Sequence, residues 1–276
     1  MRELTKDEIK ARQIEILNYF KATCEELGLR YSLAYGTLLG AVRHGGYIPW
    51  DDDIDVCMPR EDYDKFCDFI RGKSGKFVLF DIKSNDTYYQ NFAKVVDTET
   101  VLVDVQTIKQ VSGLGLNVDV FPFDNCPTDE KEYNKWLKKV RKLSKWKSFI
   151  VNKGFPVGNN IIKTTLRSLQ KIISLSLGLR FWMQRLEKEI KKYNNASTER
   201  MTNISLYSIY KKSVPASWFN NLKEIKFEDE IYSCFSNTDE YLINLYGDYM
   251  TPPPEEQRVA PHGYTAYLKE KSEDNL

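Results

Sequence analysis

Three aspartates stand where clustered carboxylates could do chemistry: Asp53 and Asp55 in the run Asp53-Ile54-Asp55-Val56, and Asp119 in Val118-Asp119-Val120. Side chains alternate faces along an extended chain, so Asp53 and Asp55 would share one face while Ile54 and Val56 turn to the core. Their Cα atoms would lie roughly 6.5–7 Å apart, close enough for both carboxylates to hold one hard cation. Acids so placed repel each other unless a positive charge sits between them. A divalent ion, Mg2+ or Mn2+, carrying a phosphate meets that need. Asp119 falls where a third metal ligand or a catalytic carboxylate would sit. Upstream, Gly36-Thr37 breaks a strand-like run, Tyr31–Tyr35, ahead of a helix-compatible piece, Leu38–Arg43, and a Gly45-Gly46 loop. Glycine lets the backbone approach a ligand closely. The amides opening that helix, with the Thr37 hydroxyl, would face an anion, and Arg43 and His44 add positive or hydrogen-bonding groups. An acidic run alone reads as a solvated turn. Metal-dependent phosphate chemistry is the reading that uses every part of this span.

The run GTLLGAVRHGGYIPWDDDIDV, residues 36–56, resembles the signature of the LicD family. These are bacterial phosphocholine transferases, distantly similar to fukutin-type proteins, within the nucleotidyltransferase superfamily. The superfamily pattern is a Gly-Ser or Gly-Gly turn, then Asp-apolar-Asp, then a third carboxylate on a later strand. Here Gly36-Thr37 replaces the usual turn and keeps a hydroxyl. Lys94 in Asn91-Phe92-Ala93-Lys94 and the run Tyr246 to Arg258 with His262 also match that family. The resemblance covers residues 31–60, roughly 90–124 and 246–262, and implies transfer of phosphocholine from CDP-choline to a sugar hydroxyl of a lipid-linked glycan acceptor, with CMP released. It implies Asp53, Asp55 and Asp119 as catalytic and metal-binding groups. Gly36, Thr37, Arg43, His44 and Lys94 become donor-phosphate contacts, and the proline-stiffened C-terminal run would bring Arg258 and His262 across the site. A quaternary ammonium offers no N–H, so its recognition falls to aromatic faces; Trp50, Tyr47, Phe121 and Tyr249 lie within the motif stretches. A nucleotidyltransferase acting on a sugar, or a transferase of another activated phosphoalcohol such as ribitol or glycerol phosphate, would use the same carboxylates. A non-catalytic membrane- or nucleic-acid-binding subunit would not need them.

Composition is that of a folded globule: 276 residues, 42% apolar and 13% aromatic, enough to bury a substantial core. The net charge of +1 argues against a general polyanion binder. Five cysteines form no CxxC pair, and only two histidines accompany them, which argues against a zinc site and for free thiols in a reducing compartment. The charged N-terminus lacks a signal-peptide core, and no run reaches the ~18 apolar residues that span a bilayer. The expectation is a cytoplasmic protein, peripheral at the inner face of the cell membrane.

The elements expected to position these residues make an α+β fold, a nucleotidyltransferase-like mixed sheet flanked by helices with a basic helical insertion. A catalytic core is expected over 1–128, a basic helical region over 129–212, and a C-terminal segment over 213–276 that packs back on the core. Thr5 and Glu8 form a capping box for a helix that Gly28 ends, with Ile9, Gln13, Ile16, Phe20, Cys24 and Leu27 on one face. Its expected role is packing. A helix is expected over Pro59–Ile70, strands over Phe77–Ile82, Tyr89–Val96, Val101–Val105 and Leu114–Phe121, and a short helix over Tyr241–Tyr246. Between Lys131 and Lys192 there are seventeen Lys and Arg against three acids. Helices are expected there over Tyr133–Ile150 and Asn160–Tyr193, the second broken at Gly178. It carries an apolar stripe, Leu166, Leu169, Ile173, Leu177, Phe181 and Trp182, opposite Lys163, Arg167, Lys171 and Arg180. Basic amphipathic helices suit an anionic membrane surface; packing of the stripe on the domain is the alternative. No nucleic-acid recognition motif accompanies the segment, so nucleic acid is not an expected partner.

Overall fold

The computed structural model describes residues 1–104, 109–196, 198–204, 213–260 and 263–270. The expected end of one strand at Val105, and His262, lie outside them. The described elements are, in order, β1 (Arg2–Glu3), α1 (Lys6–Leu27), β2 (Ser32–Leu33), α2 (Tyr35–His44), β3 (Asp55–Pro59), α3 (Arg60–Ile70), β4 (Phe77–Phe80), β5 (Ala93–Asp97), β6 (Thr100–Asp104) and β7 (Asn117–Asn125). Then come α4 (Glu130–Val151), α5 (Ile161–Leu177), α6 (Leu179–Ile190), β8 (Arg200–Thr202), β9 (Val214–Pro215), β10 (Leu222–Phe227), β11 (Glu230–Phe235), α7 (Thr238–Tyr246) and β12 (Tyr264–Leu268). The α+β class follows directly.

A mixed sheet runs β2-β3-β7-β5-β4, with β3 and β7 parallel and the other neighbours antiparallel. β8 extends β7, and β9 pairs with β8. A second sheet holds β12 between β1 and β6, and β10-β11 form a hairpin. The capping box on α1 is formed, Thr5 Oγ1 accepting from the Glu8 amide and Glu8 Oε2 from the Thr5 amide. The helix ends at Gly28 in the left-handed region, where the missing Cβ removes the steric cost. Ile16, Leu17 and Phe20, fully buried on its inner face, pack toward β5 and β7. That core also takes in Trp218, Phe219, Phe227, Phe235 and Tyr241 from the C-terminal segment. A separate cluster, around Trp136, Val140, Leu186 and Ile190, holds α4 to α6.

Three local expectations are corrected. The strand expected over Tyr31–Tyr35 is only Ser32–Leu33, and α2 begins at Tyr35, so Gly36 and Thr37 occupy its first turn instead of a break. The turn is made at Tyr35, which takes a left-handed φ of 44°, a costly geometry for a bulky residue. It is held by packing on Phe121 and by a hydrogen bond from Asn203 Nδ2 to its hydroxyl. The acidic strand starts at Asp55, so Asp53 precedes it. The backbone turns at Pro49-Trp50, the Asp51 amide donating to the Ile48 carbonyl at 2.9 Å. The long basic helix is broken at Gly178, at φ 80°. The break leaves Phe181 and Trp182 on α6, where Trp182 is buried against Trp146 in a stacked pair. The stripe is therefore not one continuous face.

Candidate active site

Parallel pairing of β3 with β7 sets Asp55 opposite Asp119, and antiparallel pairing of β5 with β7 sets Lys94 opposite the same Asp119. Directly paired residues present side chains on one face of a sheet, so Asp55, Asp119 and Lys94 form a row across three strands. The Lys94 ammonium forms an ion pair with Asp119 and donates to Asn117 Oδ1 at 2.9 Å. Asn117 lies two residues before Asp119 on β7, hence on its face. The row opens onto a cavity of about 550 Å³.

Helix α2 closes one side. The Asp55 amide donates to Thr37 Oγ1 at 2.8 Å, and the Ala34 amide to the Asp55 carbonyl at 2.9 Å. Thr37 is thereby buried as a brace between α2 and β3 and does not line the cavity. Gly36 does line it. A Cβ at Gly36 would stand 2.6 Å from Asp51 Oδ2, so only glycine leaves that carboxylate its place. The N-terminus of α2 at Gly36 favours an anion electrostatically.

Asp51, Asp52 and Asp53 line the cavity ahead of β3. Among the described residues, these three form the metal-competent trio, with carboxylate oxygens within 4.8 Å of one another. Their loop is fixed from two sides: the Asp52 carbonyl accepts from Gln13 Nε2 at 2.8 Å and from the Tyr264 hydroxyl at 2.6 Å. The Tyr47 hydroxyl in turn donates to Gln13 Oε1 at 3.1 Å. Burial pushes the Asp55 carboxyl well above the usual carboxylate range, and Asp53, Asp119 and Asp51 add to it, against Lys94. Burial raises the Tyr264 hydroxyl, and Asp52, Asp53, Asp119 and Asp51 add to it. Five carboxylates thus line the cavity with Lys94 in their midst, and Lys109 stands on the same wall. All donors are hard oxygens, which fits Mg2+ or Mn2+ and not a soft ion.

The expected residues fall into two groups. Gly36, Asp53, Asp55, Lys94, Asp119 and Phe121 line the cavity. Thr37, Arg43, His44, Tyr47, Trp50, Tyr249 and Arg258 do not. Five of these meet in one cluster: the Arg43 guanidinium donates to the Tyr249 carbonyl and to His44 Nε2, the His44 ring packs on Trp50, and Arg258 lies 5.4 Å over the Trp50 ring. The C-terminal run reaches α2 through the Tyr249 carbonyl, and Tyr246 enters the cavity wall, while Arg258 stands over Trp50 and not across the cavity. Burial and Arg43 lower the His44 pKa. Tyr47 is buried against Phe227, its ring closed off from the cavity.

Sequence reasoning missed Asp51, Asp52, Gln13, Asn117 and Tyr264, and the aromatic wall of Tyr35, Tyr89, Phe92 and Tyr246. Gln13 carried a signal, a polar residue in an apolar stripe. Phe92, just before β5, packs on Phe121 of β7 with ring centroids 4.3 Å apart and the planes tilted by 42°.

Residues 28–159 match the family model for the LicD/FKTN/FKRP nucleotidyltransferase domain. The chain is 30% identical over 272 residues to the lipopolysaccharide cholinephosphotransferase LicD of Haemophilus influenzae, covering 97% of this chain and 100% of that protein. It is also 45% identical over 65 residues to the human and mouse ribitol 5-phosphate transferase FKRP, across 24% of this chain and 13% of those proteins.

Proposed function

Because the chain belongs to the LicD family, we propose that it transfers phosphocholine from CDP-choline to a sugar hydroxyl of a cell-surface glycopolymer precursor, of lipopolysaccharide or teichoic acid type. In this reading the sheet around β3, β5 and β7 is a nucleotidyltransferase-like core. The observation that carries the chemistry is the row Asp55, Asp119, Lys94 beside the Asp51–Asp53 loop, in a cavity whose other wall is aromatic.

The acceptor oxygen attacks the phosphorus that bears choline, the bond from that phosphorus to the bridging oxygen breaks, and CMP leaves with that oxygen. Asp119 takes the hydroxyl proton, held in place by Lys94. Asp53 and Asp55, with Asp51 and Asp52 beside them, would hold Mg2+ or Mn2+. When bound, that ion supplies charge neutralisation on the diphosphate. Gly36 at the N-terminus of α2 lets phosphate oxygens approach the backbone. Phe92, Phe121 and Tyr246 offer faces for the quaternary ammonium.

Isothermal titration of CDP-choline, CDP-ethanolamine and CTP, with and without Mg2+, tests this, together with CMP release in the presence of a glycan acceptor. Mg2+-dependent CDP-choline binding is expected, with turnover falling by roughly 10²-fold or more in Asp119→Asn. Binding of CTP without CDP-choline would transfer the site to nucleotidyl transfer. The FKRP segment makes CDP-ribitol the second donor to titrate.

A further inference from the structure

Helix α5 is turned inside out. Its inner face is polar: Lys171 and Ser174 are its buried residues, and Thr164, Arg167 and Ser168 are half-buried alongside them. Lys171 Nζ donates to the Asn152 carbonyl at 2.9 Å and to the Gly154 carbonyl, and so caps the C-terminal end of α4. Ser174 Oγ donates to the Trp146 carbonyl at 3.1 Å. The apolar residues face outward, from 85% exposed at Ile161 to 45% at Leu177, with Leu166, Leu169, Ile172 and Ile173 between. Phe155 and Val157, just before the helix, are exposed as well. Isolated exposed leucines are ordinary, but a contiguous apolar helix face is not.

We propose that α5 is a membrane-docking helix whose outward face enters the outer layer of an anionic bilayer leaflet. Charge selects this occupant over a second copy of the chain. The segment from Lys131 to Lys192 carries seventeen basic residues against three acids. Exposed Lys138, Lys142, Lys145, Lys153 and Lys163 stand on and around the helix pair. Two such surfaces repel each other, whereas an anionic leaflet attracts each of them. Length selects a helix lying in the interface: seventeen residues make about 25 Å, and no described helix is long and apolar enough to cross a membrane.

The placement also fits the site. The Val151 carbonyl, next to the Asn152 carbonyl that Lys171 grips, accepts from the Lys109 amide at 3.0 Å, and Lys109 lines the catalytic cavity. Lys147 of α4 donates to the Tyr89 carbonyl at 2.9 Å, and Tyr89 lines the cavity too. A lipid-borne acceptor held at α5 would therefore lie beside the cavity wall; that last step, and only that step, rests on the function proposed above.

The test is sedimentation of the full chain with vesicles of phosphatidylglycerol and phosphatidylcholine, against phosphatidylcholine alone, with no turnover involved. Binding to the anionic vesicles is expected, weakened by at least about tenfold in Leu169→Asp and again in Ile173→Asp. Both positions are exposed, so circular dichroism should show an intact fold. Failure to bind anionic vesicles overturns the proposal. So does binding that these substitutions leave unchanged, or concentration-dependent dimerisation in sedimentation velocity that they abolish, which would make the face an interface between copies. Because the readout is vesicle binding, a chain that turns out to use another donor leaves the result interpretable.

Discussion

Replacing Gly36 with alanine separates site geometry from stability. The new Cβ would stand 2.6 Å from Asp51 Oδ2 and 3.7 Å from Asp51 Cγ. Ordinary contact begins near 3.4 Å, so the carboxylate must retreat by roughly 0.8 Å, or α2 must move with the Asp55 amide that Thr37 holds. Alanine is favoured over glycine inside a helix by up to about 1 kcal/mol. The fold should thus lose little and can gain. A displacement near 1 Å at a reacting centre costs on the order of 10²-fold in rate, about 2.7 kcal/mol of transition-state stabilisation. The expected result for Gly36→Ala is a urea midpoint within error of the parent, a kcat/KM for CDP-choline down by about 10²-fold, and weaker Mn2+ binding in an EPR titration. Parent-like kcat/KM with parent-like Mn2+ affinity would refute the reasoning, because Asp51 would then have no part in the site. A midpoint that falls in step with activity would refute it differently, as a folding defect.

Asp55→Asn should abolish turnover yet stabilise the cation-free protein. Its carboxyl is held above the ordinary range, so the folded chain retains a proton the unfolded chain has lost, and stability falls as pH rises through that interval. Thermal melts in EDTA across that range should show the fall in the parent, its loss in the variant, and its flattening by saturating Mg2+. Lys147 has the opposite sign: burial lowers it from 10.5 to about 8, so the unfolded chain binds the extra proton and stability rises with pH between those values. Lys147→Met should remove that rise and add roughly 1–3 kcal/mol near neutral pH, less the hydrogen bond to Tyr89, as read from urea curves at several pH values. Asp124→Ala should cost about 3–5 kcal/mol in the same assay, since it leaves the buried Arg60 guanidinium without the carboxylate that takes both its Nε and Nη2.

Asp55 and Asp119 were legible because each is an acid flanked by two β-branched residues, Ile54 and Val56 or Val118 and Val120, a pattern local to its own strand. Their pairing was not, since no local pattern says that β3 will lie parallel to β7 with those two residues in register. Asp51 and Asp52 escaped because alternation applies only inside a strand, and the strand begins at Asp55. Gln13 looked like a blemish in a packing face until the acidic loop was seen resting on it. The aromatic wall was missed for the same reason as the register: Tyr35, Phe92 and Tyr246 come from separate stretches, and only the fold brings them to Phe121. On α5 the amphipathic pattern was plain but its direction was not. Periodicity shows that a helix has two faces. What turned the polar one inward was the carbonyl end of α4, which Lys171 and Ser174 satisfy.

The acid site and the apolar helix share a physical logic. In each, the chain holds groups in an environment that opposes them: carboxylates crowded around Lys94, and leucines and isoleucines set against water. Neither arrangement stabilises the isolated fold, and both are held by rigid neighbours, the paired strands β3, β5 and β7 in one case and the capped end of α4 in the other. A group kept where it is unfavourable gains most from the ligand that relieves it, because binding then removes a cost as well as adding contacts. In the function proposed above a cation with a diphosphate would relieve the first, and in the docking proposed above an anionic leaflet would relieve the second. With both in place, α4 spans the two surfaces, through Lys147 at Tyr89 on the cavity side and the Asn152 carbonyl on the other. On the two proposals above, a rigid helix in that position would set how far the row of Asp55, Asp119 and Lys94 stands from the lipid, and so which hydroxyl of a membrane-borne glycan could reach Asp119.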